Sequence, residues 1–231
     1  MRTLQEHNSI SVVIPTLDAA ELLPATLDAL ANARLVREII VADGGSADDT
    51  CAIAAASGAR IVVAARGRGS QLAAGARAAT GDWLLFLHAD CRPASGWEDA
   101  VERFLATPGA AAHAGYFVFA LDAAGAAARR LERIVAWRCR ALALPYGDQG
   151  LLIARTLYDA LGGYAAMPLM EDVDLVCRLG RRRLRPLGVK LYSSARRYRN
   201  GGYLCRPLRN LVCLSLYFAG VAPRHIARFY G

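Results

Sequence analysis

Four short apolar runs divide the first half of the chain, and helical patterns separate them. The runs are ISVVIP, EIIVAD, RIVVAA and WLLFLHAD. An amphipathic segment with Leu23, Leu27 and Leu30 follows the first run, and helices are predicted near 49–56 and 71–79. Continuously apolar strands that alternate with helices are typical of βαβ units. The sequence therefore predicts an α/β fold with a mainly parallel sheet and helices on both faces.

The second half is less regular. We expect a strand in HAGYFVFAL, a helix over about 126–144, an apolar run LLIA after the turn PYGDQG, and a helix in MEDVDLVCRLG. A strand near 187–193 and a C-terminal amphipathic helical segment broken by Pro223 follow. A length of 231 residues with no repeat and no linker favours one domain, 1–231.

Positive charge is concentrated toward the C-terminus. Lys and Arg exceed Asp and Glu by 8, and no acidic residue follows Asp174. Such a stretch suits nucleic acid, an anionic membrane surface or a phosphorylated substrate, and equally a solvated basic face. Charge alone does not choose among these.

Cysteine spacing and hydropathy indicate the cellular compartment. The six cysteines form no C-x-x-C pair and have no His at metal-ligand spacing, so we expect reduced thiols. The N-terminus lacks the apolar core of a signal peptide, and the longest apolar stretch, 211–222, is shorter than the roughly 20 residues that span a bilayer. We expect a cytoplasmic protein, with peripheral contact at the inner membrane surface at most.

Polar residues follow three of the four predicted strands. Thr16 and Asp18 follow the first strand, Asp43 ends the second, and His88 and Asp90 end the fourth. Ligands of α/β sheets bind outside the carboxyl ends of the strands, so these groups should converge on one crevice. For Asp43 the alternative is an ordinary strand-turn-helix joint with capping residues.

The loop ARGRGSQ carries Gly67 and Gly69 before a predicted helix. It does not fit a dinucleotide fingerprint, because Leu72 occupies the third glycine position. Backbone N–H groups with Arg66 and Arg68 could hold a diphosphate there, and the alternative is a solvated turn.

Two pairs of polar residues are candidates for metal binding and acid–base catalysis. His88 and Asp90 are alternate residues of a strand end and should face one ligand, where one carboxylate can suffice for a phosphate-bound divalent cation. The alternative is a turn with a capping Asp. In LMEDVDL, Glu171 and Asp172 could supply a general base or merely complement the helix dipole, as we expect for Asp174.

Four motifs in this order resemble those of the family 2 inverting glycosyltransferases. They read VVIPTLDAAE, VADGGSADDT, LLFLHAD and MEDVDL, and the resemblance covers about 9–199. The spellings GRGSQ, FLHADC, YGDQG and SARRYRNGG look like those of a small bacterial subgroup of arsenosugar-biosynthesis type. The resemblance implies a GT-A (Rossmann-like) fold and transfer of a sugar, with inversion, from a nucleotide-diphosphate sugar. It also implies Mg²⁺ or Mn²⁺ as cofactor.

The resemblance implies roles for single residues. Asp43 matches the acid that contacts the nucleobase, and Asp90 matches the metal-binding acid of the D-x-D motif, whose first acid is replaced here by His88. Asp172 matches the acid that deprotonates the acceptor, with Glu171 as its catalytic neighbour. The expected substrate-binding residues are Pro15, Thr16, Asp18, Asp43, Gly44, Arg66, Gly69, Gln71, His88, Asp148, Gln149, Arg196 and Arg199. Residues 1–110 would bind the donor, 111–200 the acceptor, and 201–231 would form the amphipathic tail.

Two other functions stay open at this point. A nucleotidyltransferase also uses strand-end acids and a metal, but it normally has a basic Gly-rich loop after the first strand, where this chain has PTLDAAELL. A nucleic-acid or membrane-surface binding module would use the Arg-rich C-terminal region, with strong salt dependence. We expect no nucleic-acid partner. No sequence pattern identifies the donor sugar, the nucleobase or the acceptor.

Overall fold

The structure is a computed structural model, described here for residues 8–196, 198, 202–203 and 205–230. The first half contains the four predicted strands and three helices between them. They are β1 (Ile10–Thr16), α1 (Leu23–Asp28), β2 (Val36–Asp43), α2 (Thr50–Ala56), β3 (Arg60–Val63), α3 (Arg68–Ala78) and β4 (Trp83–Phe86). The α/β class predicted from the apolar runs is confirmed.

The second half mixes short strands with longer helices. Its elements are β5 (Cys91–Pro93), α4 (Trp97–Leu105), β6 (Ala114–Leu121), α5 (Ala126–Leu142), β7 (Leu151–Ala154), α6 (Arg155–Ala160), α7 (Glu171–Leu179), β8 (Leu184–Ser193), α8 (Cys205–Phe218) and α9 (Pro223–Tyr230). The expected strands and helices are present. Strand β5 and helices α4 and α6 have no counterpart in the sequence prediction, and the tail forms two helices separated at 219–222.

One sheet runs through both halves. Within the described residues its order is β3-β2-β1-β4-β7-β6-β8-β5. The neighbours among β1 to β4 are parallel, as are β6 and β8, whereas β7 is antiparallel to β4 and β6, and β5 to β8. The sheet is therefore parallel in its first half and mixed in its second. Strand β7 begins beside the carboxyl end of β4, where Leu151 pairs with Phe86, and so must run away from that edge.

Burial on both faces explains the uninterrupted apolar strands. Ile10, Val12, Val13 and Ile14 of β1 are all completely buried, and each such side chain stabilises the fold by about 1.5–3 kcal/mol relative to exposure. Helix α3 packs closely on β1, because a Cβ atom at Gly75 would lie 2.4 Å from the Cγ1 atom of Val13. This tight layer holds the carboxyl ends of the strands in fixed positions.

The second half adds a smaller core. The inner side of α5 packs on β6 through buried residues that include Leu131, Val135 and Phe119. No helix in the described part of the chain is both long enough and apolar enough to span a bilayer. The five cysteines whose side chains are described are free thiols, Cys51, Cys91, Cys139, Cys177 and Cys213.

Candidate active site

A cleft opens beyond the carboxyl ends of β4 and β8. It lies between the strand ends, the start of α7 and the C-terminal helices. Its lining residues are Arg68, His88, Asp90, Tyr146, Asp148, Leu169, Met170, Asp172, Val173, Ser193, Ser194, Tyr198, Arg206, Asn210 and Tyr230. Five residues named from the sequence, Arg68, His88, Asp90, Asp148 and Asp172, therefore share one cleft.

Three carboxyl groups converge in this cleft. Asp90 follows β4, Asp148 lies in the turn before β7, and Asp172 is in the first turn of α7. Burial raises the pKa of Asp148 to about 6; the nearby Asp172 and Asp90 add to this rise, while Arg138 opposes it. The Oδ1 atom of Asp148 is buried and has no hydrogen-bond partner among the described residues. A buried polar atom of this kind is suited to a ligand group that supplies the missing partner.

The backbone fixes the orientation of Asp172. Its Oδ2 atom accepts the N–H of Gly147 at 2.8 Å, and its Oδ1 atom accepts the N–H of Val173 at 2.8 Å. Gly147 leaves no room for a side chain, because a Cβ atom would lie 2.5 Å from the Nε2 atom of His88 and 3.4 Å from Asp172 Oδ2. The turn PYGDQG therefore brings a glycine, an imidazole and a carboxylate into direct contact.

Glu171 lies behind this acid rather than in the cleft lining. Its side chain is 1% exposed and pairs with the Nε atom of Arg68, whose side chain is 31% exposed. Burial would lower the pKa of Arg68, but the attraction of Glu171 and Asp172 outweighs it and raises the pKa, so the guanidinium stays charged beside the Glu171 carboxylate. Met170, with φ of 68°, adopts a left-handed conformation that only the surrounding packing can maintain. Glu171 is thus placed to support Asp172, and Arg68 is occupied by an ion pair rather than free for a diphosphate.

Asp174, also in the first turn of α7, faces another neighbourhood. It pairs with Arg178 and accepts the hydroxyl of Tyr217 at 3.4 Å. This placement agrees with the expectation that it serves the helix rather than the cleft.

The cleft offers a candidate cation site. Ligand atoms of His88, Asp90 and Cys91 lie within 4.8 Å of one another. Burial raises the pKa of the Cys91 thiol well above its usual range, and its soft sulfur suits Mg²⁺ and Mn²⁺ less well than a carboxylate oxygen does. Asp90 supplies the oxygen that Mg²⁺ and Mn²⁺ prefer, and phosphates and waters can complete the shell. The residues present therefore fit a cation held by Asp90 with His88 beside it. His88 and Asp90 lie beyond the end of β4, so the loop after Phe86 brings them together, not the strand alternation on which we based the prediction.

Asp43 organises the turn after β2. Its carboxylate accepts the hydroxyls of Thr16 and Ser46 and the N–H groups of Gly45 and Ser46. Burial would raise the pKa of Asp43, but the hydrogen bonds from Ser46, Thr16 and Gly45 outweigh it and lower the pKa. The acid is 3% exposed. The alternative interpretation, a joint with capping residues, thus accounts for these contacts.

Other residues expected at the substrate hold the two loops together. The side chain of exposed Asp18 accepts the N–H of Ala47 at 2.8 Å, while Pro15 is half-buried beside it and Arg66 is exposed. Gln71 is buried and donates to the carbonyl oxygens of β1 and β2 at Thr16 and Ala42.

Two predicted glycines are close-packing positions. A Cβ atom at Gly69 would lie 2.2 Å from the carbonyl oxygen of Ala165, and one at Gly44 would lie 3.0 Å from the amide nitrogen of Gln71. Neither glycine is part of the cleft lining. Both glycines therefore lie in crowded joints, and their contact with substrate stays a prediction.

Gln149 lies in a buried hydrogen-bond network. It is buried, its Oε1 atom accepts Arg138 at 3.0 Å, and its amide donates to the carbonyl oxygen of Phe117 at 3.1 Å. Arg196 pairs with Glu21 on the surface, away from the cleft lining. Arg199 lies outside the described residues.

The C-terminal helices contribute cleft residues that the sequence analysis missed. Arg206 and Asn210 of α8 and Tyr230 of α9 line the cleft together with Tyr198, which precedes them in the chain, and Arg206 donates to the Tyr230 hydroxyl at 3.2 Å. The sequence analysis described this segment only as an amphipathic tail, whereas the structure turns Arg206 into the cleft. The acid-free, Arg-rich composition was the available signal, but it gave no indication of which face points to the site.

Comparison with known proteins identifies the family. Residues 11–167 match the sequence model of Glycosyl transferase family 2, which is more than half of the chain. The chain belongs to glycosyl transferase family 2. This family 2 protein is 40% identical over 88 residues to the PGL/p-HBAD biosynthesis glycosyltransferase of Mycobacterium bovis, covering 35% of this chain and 34% of that protein. It is 39% identical over 84 residues to an uncharacterized glycosyltransferase of Mycobacterium tuberculosis, covering 36% of this chain and 37% of that one. The matched part spans about a third of the length of these curated relatives.

Solved structures show the same fold. Glucosyl-3-phosphoglycerate synthase from Mycobacterium tuberculosis, in complex with Mn²⁺, UDP-glucose and phosphoglyceric acid, aligns with a TM-score of 0.61 at 24% identity over 93% of this family 2 chain and 80% of that chain. The same enzyme with Mn²⁺ and UDP-glucose aligns with a TM-score of 0.57 at 25% identity, over 81% of this chain and 70% of that one. The GT-A fold predicted from the motifs is therefore confirmed.

Proposed function

We propose that this protein is an inverting glycosyltransferase that moves a sugar from a nucleotide-diphosphate sugar to an acceptor hydroxyl, with a divalent cation. The observation that carries the proposal is the convergence of Asp90, Asp148 and Asp172 with His88 in one cleft at the strand ends. Membership of family 2 supports it, and nothing in the comparisons supports a nucleotidyltransferase. The arsenosugar-type subgroup stays a prediction.

The donor would lie across the first half of the chain. The ends of β1 and β2, with Pro15, Thr16 and Asp43, would form the wall of the nucleoside pocket, since the carboxyl edge of a parallel sheet is the usual ligand crevice. Asp90 and His88 would hold the cation, which when bound neutralises charge on the diphosphate. Arg206 enters the cleft from α8 and pairs with no carboxylate within the described residues, so it is available to attract the same phosphates.

Inversion needs one base on the acceptor side. We assign this role to Asp172, whose hydrogen bonds to two backbone N–H groups aim the carboxylate into the cleft. The acceptor oxygen would form a bond to the anomeric carbon while the bond from that carbon to the phosphate oxygen breaks. The acceptor proton would pass to Asp172, and the nucleoside diphosphate would leave with the bonding electrons. Asp148 is placed to bind sugar or acceptor hydroxyls through its unpartnered oxygen.

The C-terminal helices α8 and α9 support contact with a membrane surface. The outward side of α8 exposes Leu208, Leu211 and Phe218, and Phe229 is exposed on α9. This apolar stripe, with the basic tail, supports peripheral contact with the inner membrane surface at a cytoplasmic location. Salt-sensitive binding to anionic vesicles, weakened by Leu211→Ser, is the measurement that tests it.

Cation-dependent donor binding tests the proposed function. UDP-glucose, UDP and GDP should each be screened by thermal shift with and without Mn²⁺, because a ligand that binds the folded state raises its stability. We expect at least one of them to stabilise the protein more with Mn²⁺, and Asp90→Ala to lose that difference. Asp28→Ala, which removes an exposed acid from α1, is the matched control. An Asp90→Ala protein with the full metal effect would exclude Asp90 as the ligand, and the absence of any nucleotide effect would count against the function itself.

A further inference from the structure

Helix α5 presents a basic and apolar surface to solvent. Trp137 is 59% exposed and Ile134 is 53% exposed, and Arg130, Arg133 and Arg140 are exposed around them. Residues three and four apart lie on the same side of a helix, so these five side chains share one side. We call them the α5 outer face.

The positive charge of this face is uncompensated. None of its three arginines pairs with a carboxylate among the residues that the structure describes. Glu132, the acid of this helix, turns inward, where it accepts the N–H of Leu121 at 2.9 Å and pairs with Arg129. The face therefore combines three positive charges with an exposed indole and an aliphatic side chain.

We propose that the α5 outer face docks on an anionic membrane surface. Interfacial helices carry arginines on one part of the exposed arc and Trp or aliphatic groups on the adjoining part, and Trp favours the headgroup region. A second copy of this chain fits less well, because a two-fold contact would bring the same three arginines against themselves. A nucleic acid would use the arginines but leave the exposed Ile134 without a partner.

The inner side of α5 connects this surface to the cleft. Arg138 donates to the carbonyl oxygen of Leu144 at 2.9 Å and to Gln149, and its guanidinium lies 3.4 Å from the ring centroid of Tyr146. Docking through α5 would therefore hold the cleft wall near the lipid headgroups. The proposal does not depend on the transfer reaction, so it can fail while the proposed function stands.

Tryptophan fluorescence can report on this face directly. The three tryptophans are Trp83 and Trp97, which are 5% and 6% exposed, and Trp137. With vesicles of phosphatidylcholine and phosphatidylglycerol, we expect a blue shift of the emission and less acrylamide quenching. Both changes should be absent with phosphatidylcholine alone and should disappear at high salt. Vesicle binding that leaves the emission of Trp137 unchanged would place the contact elsewhere, on α8 for example, and overturn the proposal.

Charge-reversal variants distinguish binding through the α5 outer face from a general effect of the protein's net charge. Because each arginine near an anionic surface adds roughly a fivefold gain in binding, Arg130→Glu/Arg133→Glu should weaken vesicle binding by about 25-fold or more. The control Arg37→Glu/Arg77→Glu removes two exposed arginines from β2 and α3 and has the same net charge. An equal loss in both variants would reduce the effect to net charge and overturn the proposal. Trp137 protection without vesicles that grows with protein concentration, or with added RNA, would overturn it in favour of a dimer or a nucleic-acid contact.

Discussion

The buried ion pair between Arg68 and Glu171 joins two parts of the site that lie far apart in the chain. Arg68 begins α3 in the first half, and Glu171 begins α7 in the second. We expect Glu171→Gln, which removes the charge but keeps the size of the side chain, to destabilise the protein. The same change should reduce transfer less than a substitution of Asp172.

The expected loss of unfolding free energy follows from the burial of this ion pair. Breaking a buried pair by removing one partner costs roughly 3–5 kcal/mol, because the remaining charge is left uncompensated. Glu171 is 1% exposed, but Arg68 is 31% exposed and also feels Asp172, so part of its charge remains solvated and balanced. We therefore expect the free energy of unfolding to fall by about 2–3 kcal/mol.

Urea unfolding at constant slope measures this change. Glu102→Gln is the matched control, since its pair with Arg34 is exposed on both sides, 57% and 42%, and should be worth less than about 1 kcal/mol. A double-mutant cycle with Arg68→Met and Glu171→Met isolates the pair and should give a coupling above about 1.5 kcal/mol. If Glu171→Gln costs no more than Glu102→Gln and the cycle shows no coupling, the reasoning is refuted.

Asp172→Asn should lower the rate of single-turnover transfer by roughly 10²- to 10⁴-fold while donor affinity changes little. The control Asp174→Asn, in the same helical turn, should transfer at a rate near wild type. Equal activity of the two variants would remove Asp172 from catalysis. Gly147→Ala should lose about 10² in transfer, because its Cβ atom would lie 2.5 Å from His88 Nε2; wild-type transfer would contradict the crowding. Because burial raises the pKa of Asp148 from 3.8 to about 6, the stability contribution of its protonated form is complete below about pH 4 and is lost as the pH rises through 6. Asp148→Asn, measured by urea unfolding with a chelator present, should therefore gain stability relative to wild type between pH 4 and pH 7.5, and a pH-independent difference would exclude this titration.

Local sequence patterns predicted those helices and strands whose formation depends on residues close together in the chain. The apolar runs located β1 to β4 because strands covered on both faces are largely buried, and Asp90 beyond β4 marked the cleft. The same patterns predicted α7 with Glu171 and Asp172 in its first turn. They did not reveal that Asp43 and Gln71 also hold the loops together through hydrogen bonds, because residues that touch ligand and residues that organise a turn occupy the same strand-to-helix joints.

The sequence by itself determined the α/β class, the strand-end acids and the family. Only the tertiary structure decided that β7 enters the sheet in the opposite direction, that Arg68 is occupied by Glu171, and that Arg206 and Tyr230 turn into the cleft. The physical reason is the separation in sequence of the residues that interact. Periodicity and capping depend on residues a few positions apart, whereas these contacts depend on how distant elements pack, which no local pattern specifies.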